Sequence, residues 1–374
     1  NIHLAARYKR LQYPIEIDGG HFKWQGTEVK FSDVDLSLGS SKISQLSAGA
    51  DLGQSATFEV HSPSAELVAD ELYPWLLSIN NGDFFLKDFS VSKGRVFLAG
   101  LDLSGPLHHP AQWHYVLTGD LKNLVITSDA FGDPVTVNNG SFDLTSDTMP
   151  EAARNRVRIN TTDLTWGENH LALIGGMIFS ENKTLLDLTL TADAIDWNQV
   201  NTIVDYVKTK SKDSSSRPAK NALRGSLKIQ TDSFNYETVA VSPLSADLSF
   251  KPDNMAIAIN EAVVCSISFQ GRLNVSSQTL EINLVPTAVN QLLDPAVSCI
   301  TDQKQLATGT FNLNGQLLSN SKPDEFLQSL SGEVVLSAEK GRINRLGLLA
   351  KILSILNVIT IYCVENEDMT GRGI

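Results

Sequence analysis

One motif recurs along this chain: an alternating apolar strand carries a glycine near its middle, turns through a short polar stretch and continues as a second alternating strand. Leu173-Ile174-Gly175-Gly176-Met177-Ile178-Phe179 leads through residues 180–184 into Leu185-Leu186-Asp187-Leu188-Thr189-Leu190. Ser268-Phe269-Gln270-Gly271-Arg272-Leu273-Asn274-Val275 leads through residues 276–279 into Leu280-Glu281-Ile282-Asn283-Leu284. Weaker copies centre on Gly105 and Gly315. A β unit of this kind cannot bury an apolar face alone, so such units must stack side by side. The expected product is an elongated antiparallel sheet and not a closed globule. A glycine inside a strand marks a bulge or a close backbone approach, so Gly105, Gly176, Gly271 and Gly315 are expected to let the sheet coil as units are added.

Period-two alternation extends well beyond these copies. Val34-Asp35-Leu36-Ser37-Leu38, Val157-Arg158-Ile159, Ala246-Asp247-Leu248-Ser249-Phe250 and Ile257-Ala258-Ile259 each present one apolar and one polar face. Helix signals are few. Ser62-Pro63-Ser64 offers a cap, after which Leu67, Val68, Leu72, Trp75, Leu76 and Ile79 fall on one helical face over Ser64 to Ile79. A second helix is expected from Asp196 to Val207, a short one over Pro323 to Leu330, and an apolar one over Arg345 to Leu356. Residues 208–221 are polar and low in complexity, and they divide the chain into strand units with an inserted helix (residues 1–207) and a C-terminal set of strand units ending in the apolar helix (residues 222–374).

Chemistry is harder to find. A net charge of −12 gives no electrostatic footprint for nucleic acid, whose binding rests on clustered Lys and Arg. There is no nucleophile elbow, zincin helix, P-loop or dinucleotide fingerprint. His108, His109 and His114 lie near Asp102, but His108 and His109 point to opposite faces of an extended segment and Pro110 marks a turn, so the cluster reads as solvated and no metal is expected. No cofactor and no catalytic residue follow from these patterns. Cys265, Cys299 and Cys363 lack metal-ligand spacing. A disulfide between Cys265 and Cys299 and a pair of buried free thiols both stay open, with Cys363 left over.

The units "LDLTLTADAIDW" (Leu186 to Trp197) and "LEINLVPTAVNQLL" (Leu280 to Leu293) resemble the repeats of the AsmA-like superfamily of Gram-negative envelope proteins. The segments "EAVVCSISFQGRL" around Cys265, Gly100 to Leu107, and above all "FLQSLSGEVVLSAEKGRINRLGLLAKILSILNVITIY" from Phe326 to Tyr362 are similar to the same family. The resemblance is strongest from about Trp166 onward and is carried by diffuse patterns of strand and glycine.

The resemblance implies a mostly β fold in which a twisted antiparallel sheet curls into an open apolar groove, with a few short helices. It also implies the function of the related bridge-like lipid transfer proteins: a non-enzymatic conduit that shields phospholipid acyl chains between inner and outer membranes. It implies a periplasmic location, with an inner-membrane anchor in a segment outside this chain, which would then be part of a longer protein. The apolar strand positions Leu186, Leu188, Leu190, Ile257, Ile259, Phe269, Leu273, Ile282, Leu284, Phe311 and Leu313 recur with the period of one sheet face and are the expected groove lining. The competing readings are an outer-membrane assembly or regulatory factor and a secreted structural β-repeat protein.

Overall fold

The computed structural model describes residues 3–7, 12–79, 88–109, 112–149, 152–180, 183–213, 222–237, 239–276, 278–301, 307–322, 325–326 and 328–341. Among them the chain forms twenty strands and three short helices. It is mostly β, and its strands pair mostly antiparallel. The backbone divides into two compact units, residues 1–227 and 228–374. The apolar segment from Arg345 to Leu356, and Cys363, lie outside the described residues.

The first unit is a meander. Strands β1 (His3–Ala6), β2 (Ile15–Gln25), β3 (Glu28–Leu38) and β4 (Ser41–Asp51) pair in sequence order. Strands β5 (Thr57–Ser62) and β6 (Ser64–Val68) then share one lane between β4 and β7 (Ser90–Pro106). Strands β8 (His114–Thr127), β9 (Val135–Met149), β10 (Ala152–Trp166), β11 (Asn169–Ser180) and β12 (Lys183–Asp196) complete it in order.

The expected helix over Ser64 to Ile79 needs correction at its start. Ser64–Val68 is strand, with Ala65 opposite Leu98 and Leu67 opposite Val96, and helix α1 runs over Ala69–Ile79. Pro63 therefore breaks a strand where a helix cap was expected. The Ser62 hydroxyl, fully buried, reaches the carbonyl oxygens of Ser44 (2.8 Å) and Ser64 (2.9 Å) and thereby holds the break. Glu71 of α1 accepts from the Ser40 amide (2.9 Å to Oε2) and the Ser41 hydroxyl (3.2 Å), so the helix is anchored to the β3–β4 turn. Tyr73 donates its hydroxyl to the Phe89 carbonyl at 2.8 Å.

Helix α2 (Trp197–Asp213) opens where expected, with the Asp196 carboxylate accepting from the Asn198 amide at 2.7 Å as an N-terminal cap. It continues through Asp213, so residues 208–213 of the expected polar loop are helical, and the rest of that loop lies outside the described residues. The boundary between units falls beyond it, within strand β13 (Ala222–Tyr236).

In the second unit β13 is followed by β14 (Val239–Val241), β15 (Leu244–Lys251), β16 (Asn254–Val264), β17 (Ile267–Ser276), β18 (Leu280–Leu292), helix α3 (Leu293–Thr301), β19 (Thr310–Ser321) and β20 (Ser331–Glu339). From β15 to β20 consecutive strands pair in order. The helix expected over Pro323 to Leu330 is instead a turn where described: the Gln328 and Ser329 amides both donate to the Glu325 carbonyl, and the Ser319 hydroxyl meets Ser329 at 2.6 Å.

Helix α3 is the element that alternation did not reveal. Ala296 and Val297 are buried, and α3 packs with Ala288, Phe311, Ile267, Leu313 and Leu336 over one end of the strands. Cys299 on this helix is bonded to Cys265 in the β16–β17 turn, with 5.4 Å between their Cα atoms. The bridge closes a loop of 34 residues, so reducing it is expected to lower the stability of this unit by about 4 kcal/mol. Urea titrations with and without reductant measure this, and coincident midpoints would show that the bridge adds nothing.

Candidate functional site

The strand register decides which side chains share a face, because residues directly opposite each other in an antiparallel pair point the same way. In the first unit one apolar row runs Phe22, Phe31, Ala48, Val60, Leu103, Tyr115 across six strand lanes. A second runs Leu101, Leu117, Leu144, Val157, Met177, Leu186. Beside it lie Phe142, Ile159, Gly175 and Leu188, then Leu173 opposite Leu190. The Phe22 and Phe31 rings touch, with centroids 5.0 Å apart. Leu186, Leu188 and Leu190 thus share one apolar face of this unit.

The second unit repeats the pattern. Leu248, Ile257, Leu273 and Ile282 form one row, and Ala246, Ile259, Gly271, Leu284 and Leu317 the next. Phe269 stands opposite Pro286, Leu313 opposite Leu336, and Phe311 opposite Ala338. All eight predicted positions of this unit therefore fall on one face.

Two of them differ from the rest in access. Phe311 is 2% exposed beneath α3, so it is a core residue and cannot touch a bound chain unless the helix lifts. Ile282 is 8% exposed. Leu186, Leu188, Leu190, Ile257, Ile259, Phe269, Leu273, Leu284 and Leu313 are half-buried.

That half-burial has a simple origin. Among the described residues, the extensive contacts of strands are with other strands of the sheet close by in the chain and with the three helices. A sandwich would lay a second sheet about 10 Å above such a face, and no strand among the described residues does so. The helices close the ends of strands: α1 packs on β6 and β7, and α3 on β18. Among the described residues the apolar rows between are covered by their own neighbours.

The opposite face is richer in polar side chains, although Val116, Ile174, Leu185, Val285, Leu318 and Val335 lie exposed on it, and side-chain hydrogen bonds link its strands. Thr118 Oγ1 and Asn160 Nδ2 donate to the two oxygens of Asp143 at 2.9 and 3.2 Å. Asn260 Nδ2 donates to Asp247 at 2.9 Å, and Asn274 Nδ2 to Glu281 at 3.1 Å. This face also carries a pairing that spacing along the chain could not show: His61 Nδ1 lies 2.6 Å from Asp102 Oδ1, both side chains more than half exposed. Asp102 is therefore engaged on the neighbouring lane and not with His108 and His109, which sit in the turn that follows β7. Among the described residues no three His, Cys, Asp or Glu side chains converge as a metal site, and no helix is long and apolar enough to cross a membrane.

The glycines act where strands approach most closely. Gly271 has φ +154°, and a β-carbon there would lie 2.1 Å from the Asn283 carbonyl oxygen. In the other strong copy the same role belongs to Gly175, not Gly176 as expected: its φ is +128° and a β-carbon would lie 2.1 Å from the Asp187 carbonyl oxygen. The chain matches no protein-family profile, no curated protein sequence and no solved structure.

Proposed function

We propose that this chain is a non-enzymatic lipid conduit whose apolar sheet faces shield phospholipid acyl chains during transfer between the inner and outer membranes of a Gram-negative envelope. The observation that carries the reading is the set of paired apolar rows with no second layer over them among the described residues. Exposed apolar surface of this extent on a protein marks a site of interaction. An acyl chain laid on such rows gains about 0.8 kcal/mol per methylene removed from water, while the absence of charged groups in the rows leaves nothing to hold it at one place. A bound lipid can therefore slide from row to row with its headgroup in solvent.

The resemblance to the AsmA-like superfamily supports the same reading and supplies the compartment. A disulfide persists in oxidising environments such as the periplasm, which suits Cys265–Cys299. Anchoring to the inner membrane belongs, in this proposal, to a segment outside the chain.

Photocrosslinking tests the proposal directly. A photoreactive amino acid at Leu188 or Leu273 is expected to capture phospholipid in cells, detected by mass spectrometry, while probes at Thr191 or Arg272 on the polar face capture none. Labelling of the polar-face probes alone would refute the conduit.

A further inference from the structure

The adjacent glycines of β11 face opposite sides of the sheet, and packing requires only one of them. Gly175 has no room for a side chain, as described above. Gly176 does: its φ is not positive, and the nearest atom to a β-carbon there, the Val157 carbonyl oxygen, lies at 3.4 Å, an ordinary contact. Glycine inside a strand weakens it, so at this position the chain gives up strand stability that its backbone does not oblige it to give up.

Gly176 lies in the floor of an open depression of about 660 Å³ on this face, within the size range of ligand sites. Register sets its walls. Gly176 lies between Arg158 on β10 and Asp187 on β12, with Ile174 and Ile178 two positions to either side on its own strand. Ile178 in turn lies between Arg156 and Leu185. Ile174 and Leu185 are each 43% exposed and form an apolar floor, and Arg156 and Arg158 are exposed. Both oxygens of Asp143, the β9 partner of Arg158, accept from Thr118 and Asn160, and Asp187, which lines the notch across Gly176 from Arg158, accepts from Ser226 Oγ at 2.7 Å through Oδ1.

We propose that this notch binds a phosphate group bearing an aliphatic substituent, on the side of the sheet away from the apolar rows. A guanidinium fork matches phosphate with two parallel hydrogen bonds, and Ile174, Ile178 and Leu185 receive the aliphatic part. The site is independent of the conduit reading, since Gly176 and Met177 point to opposite faces.

The test uses the full chain and hexyl phosphate as probe, titrated by calorimetry against wild type, Arg158→Ala and Gly176→Val. Wild type is expected to bind, and each variant to bind about tenfold more weakly. Inorganic phosphate should bind more weakly than hexyl phosphate in wild type. Sedimentation with vesicles containing phosphatidic acid separates two sources of the same chemistry: co-sedimentation of wild type but not of Gly176→Val assigns the phosphate to a lipid headgroup at a bilayer, and its absence with hexyl phosphate binding retained assigns it to a soluble ester. Circular dichroism checks folding, and Arg158→Ala decides the matter if the valine variant is unstable. Affinity unchanged in both variants, or no binding by wild type, would overturn the proposal.

Discussion

Replacing Gly271 with valine is expected to destabilise the second unit by about 3–5 kcal/mol, a large part of the 5–15 kcal/mol that typically holds a domain together. Two costs combine. The residue sits at φ +154°, and a β-carbon would come within 2.1 Å of the Asn283 carbonyl oxygen and 2.9 Å of the Leu284 Cα. Both obstacles are backbone, so no rotamer relieves them, and β17 can accommodate the side chain only by parting from β18 along the Ser268–Val275 pairing. Gly176→Ala is the contrasting case, with a φ that is not positive and 3.4 Å of clearance, and is expected to change stability by no more than about 0.5 kcal/mol. Urea unfolding of the two variants measures the difference. Equal midpoints would show that close strand approach at Gly271 does not constrain the sheet.

Leu188→Asp is expected to abolish most lipid transfer while leaving the protein folded. Leu188 is half-buried on the apolar face opposite Gly175, with solvent close enough to receive a carboxylate when no lipid is present. When an acyl chain passes, that carboxylate must lose its water or take up a proton, at a cost of several kcal/mol. A cost of that size lowers flux more than tenfold. Thr191→Asp, on the polar face of the same strand, places the same charge in water and should leave flux within about twofold of wild type. Ile282 is a poorer probe, because it is buried and an aspartate there would also undermine the fold. Lipid exchange between donor and acceptor liposomes, followed by fluorescence, reads both variants. Full transfer by Leu188→Asp would remove the apolar rows from the mechanism.

Much of this architecture was legible in the strand pattern. Alternation over Leu186 to Leu190 and over Ile257 to Leu284 identified the strands and the residues that share a face, because a period of two leaves an antiparallel strand only one way to segregate polar from apolar side chains. The start of α2 was equally local, since Asp196 caps it through its own side chain two residues on.

What local signals missed were features decided by partners distant in the chain. Ser64–Val68 has a helix-like pattern yet is strand, because β4 and β7 lie on either side to complete its hydrogen bonds. Of two neighbouring glycines, only the approach of the Asp187 carbonyl reveals that Gly175 is the constrained one. Phe311 follows the period of an accessible apolar face, but α3, clipped by Cys299 to Cys265, covers it. Sequence by itself determined that this chain would be mostly β, with strands of two unlike faces, because period and turn chemistry act over a few residues. Tertiary structure alone decided which apolar side chains stay uncovered, which glycine is indispensable and which cysteines join, because each depends on an atom brought from another strand or helix into contact.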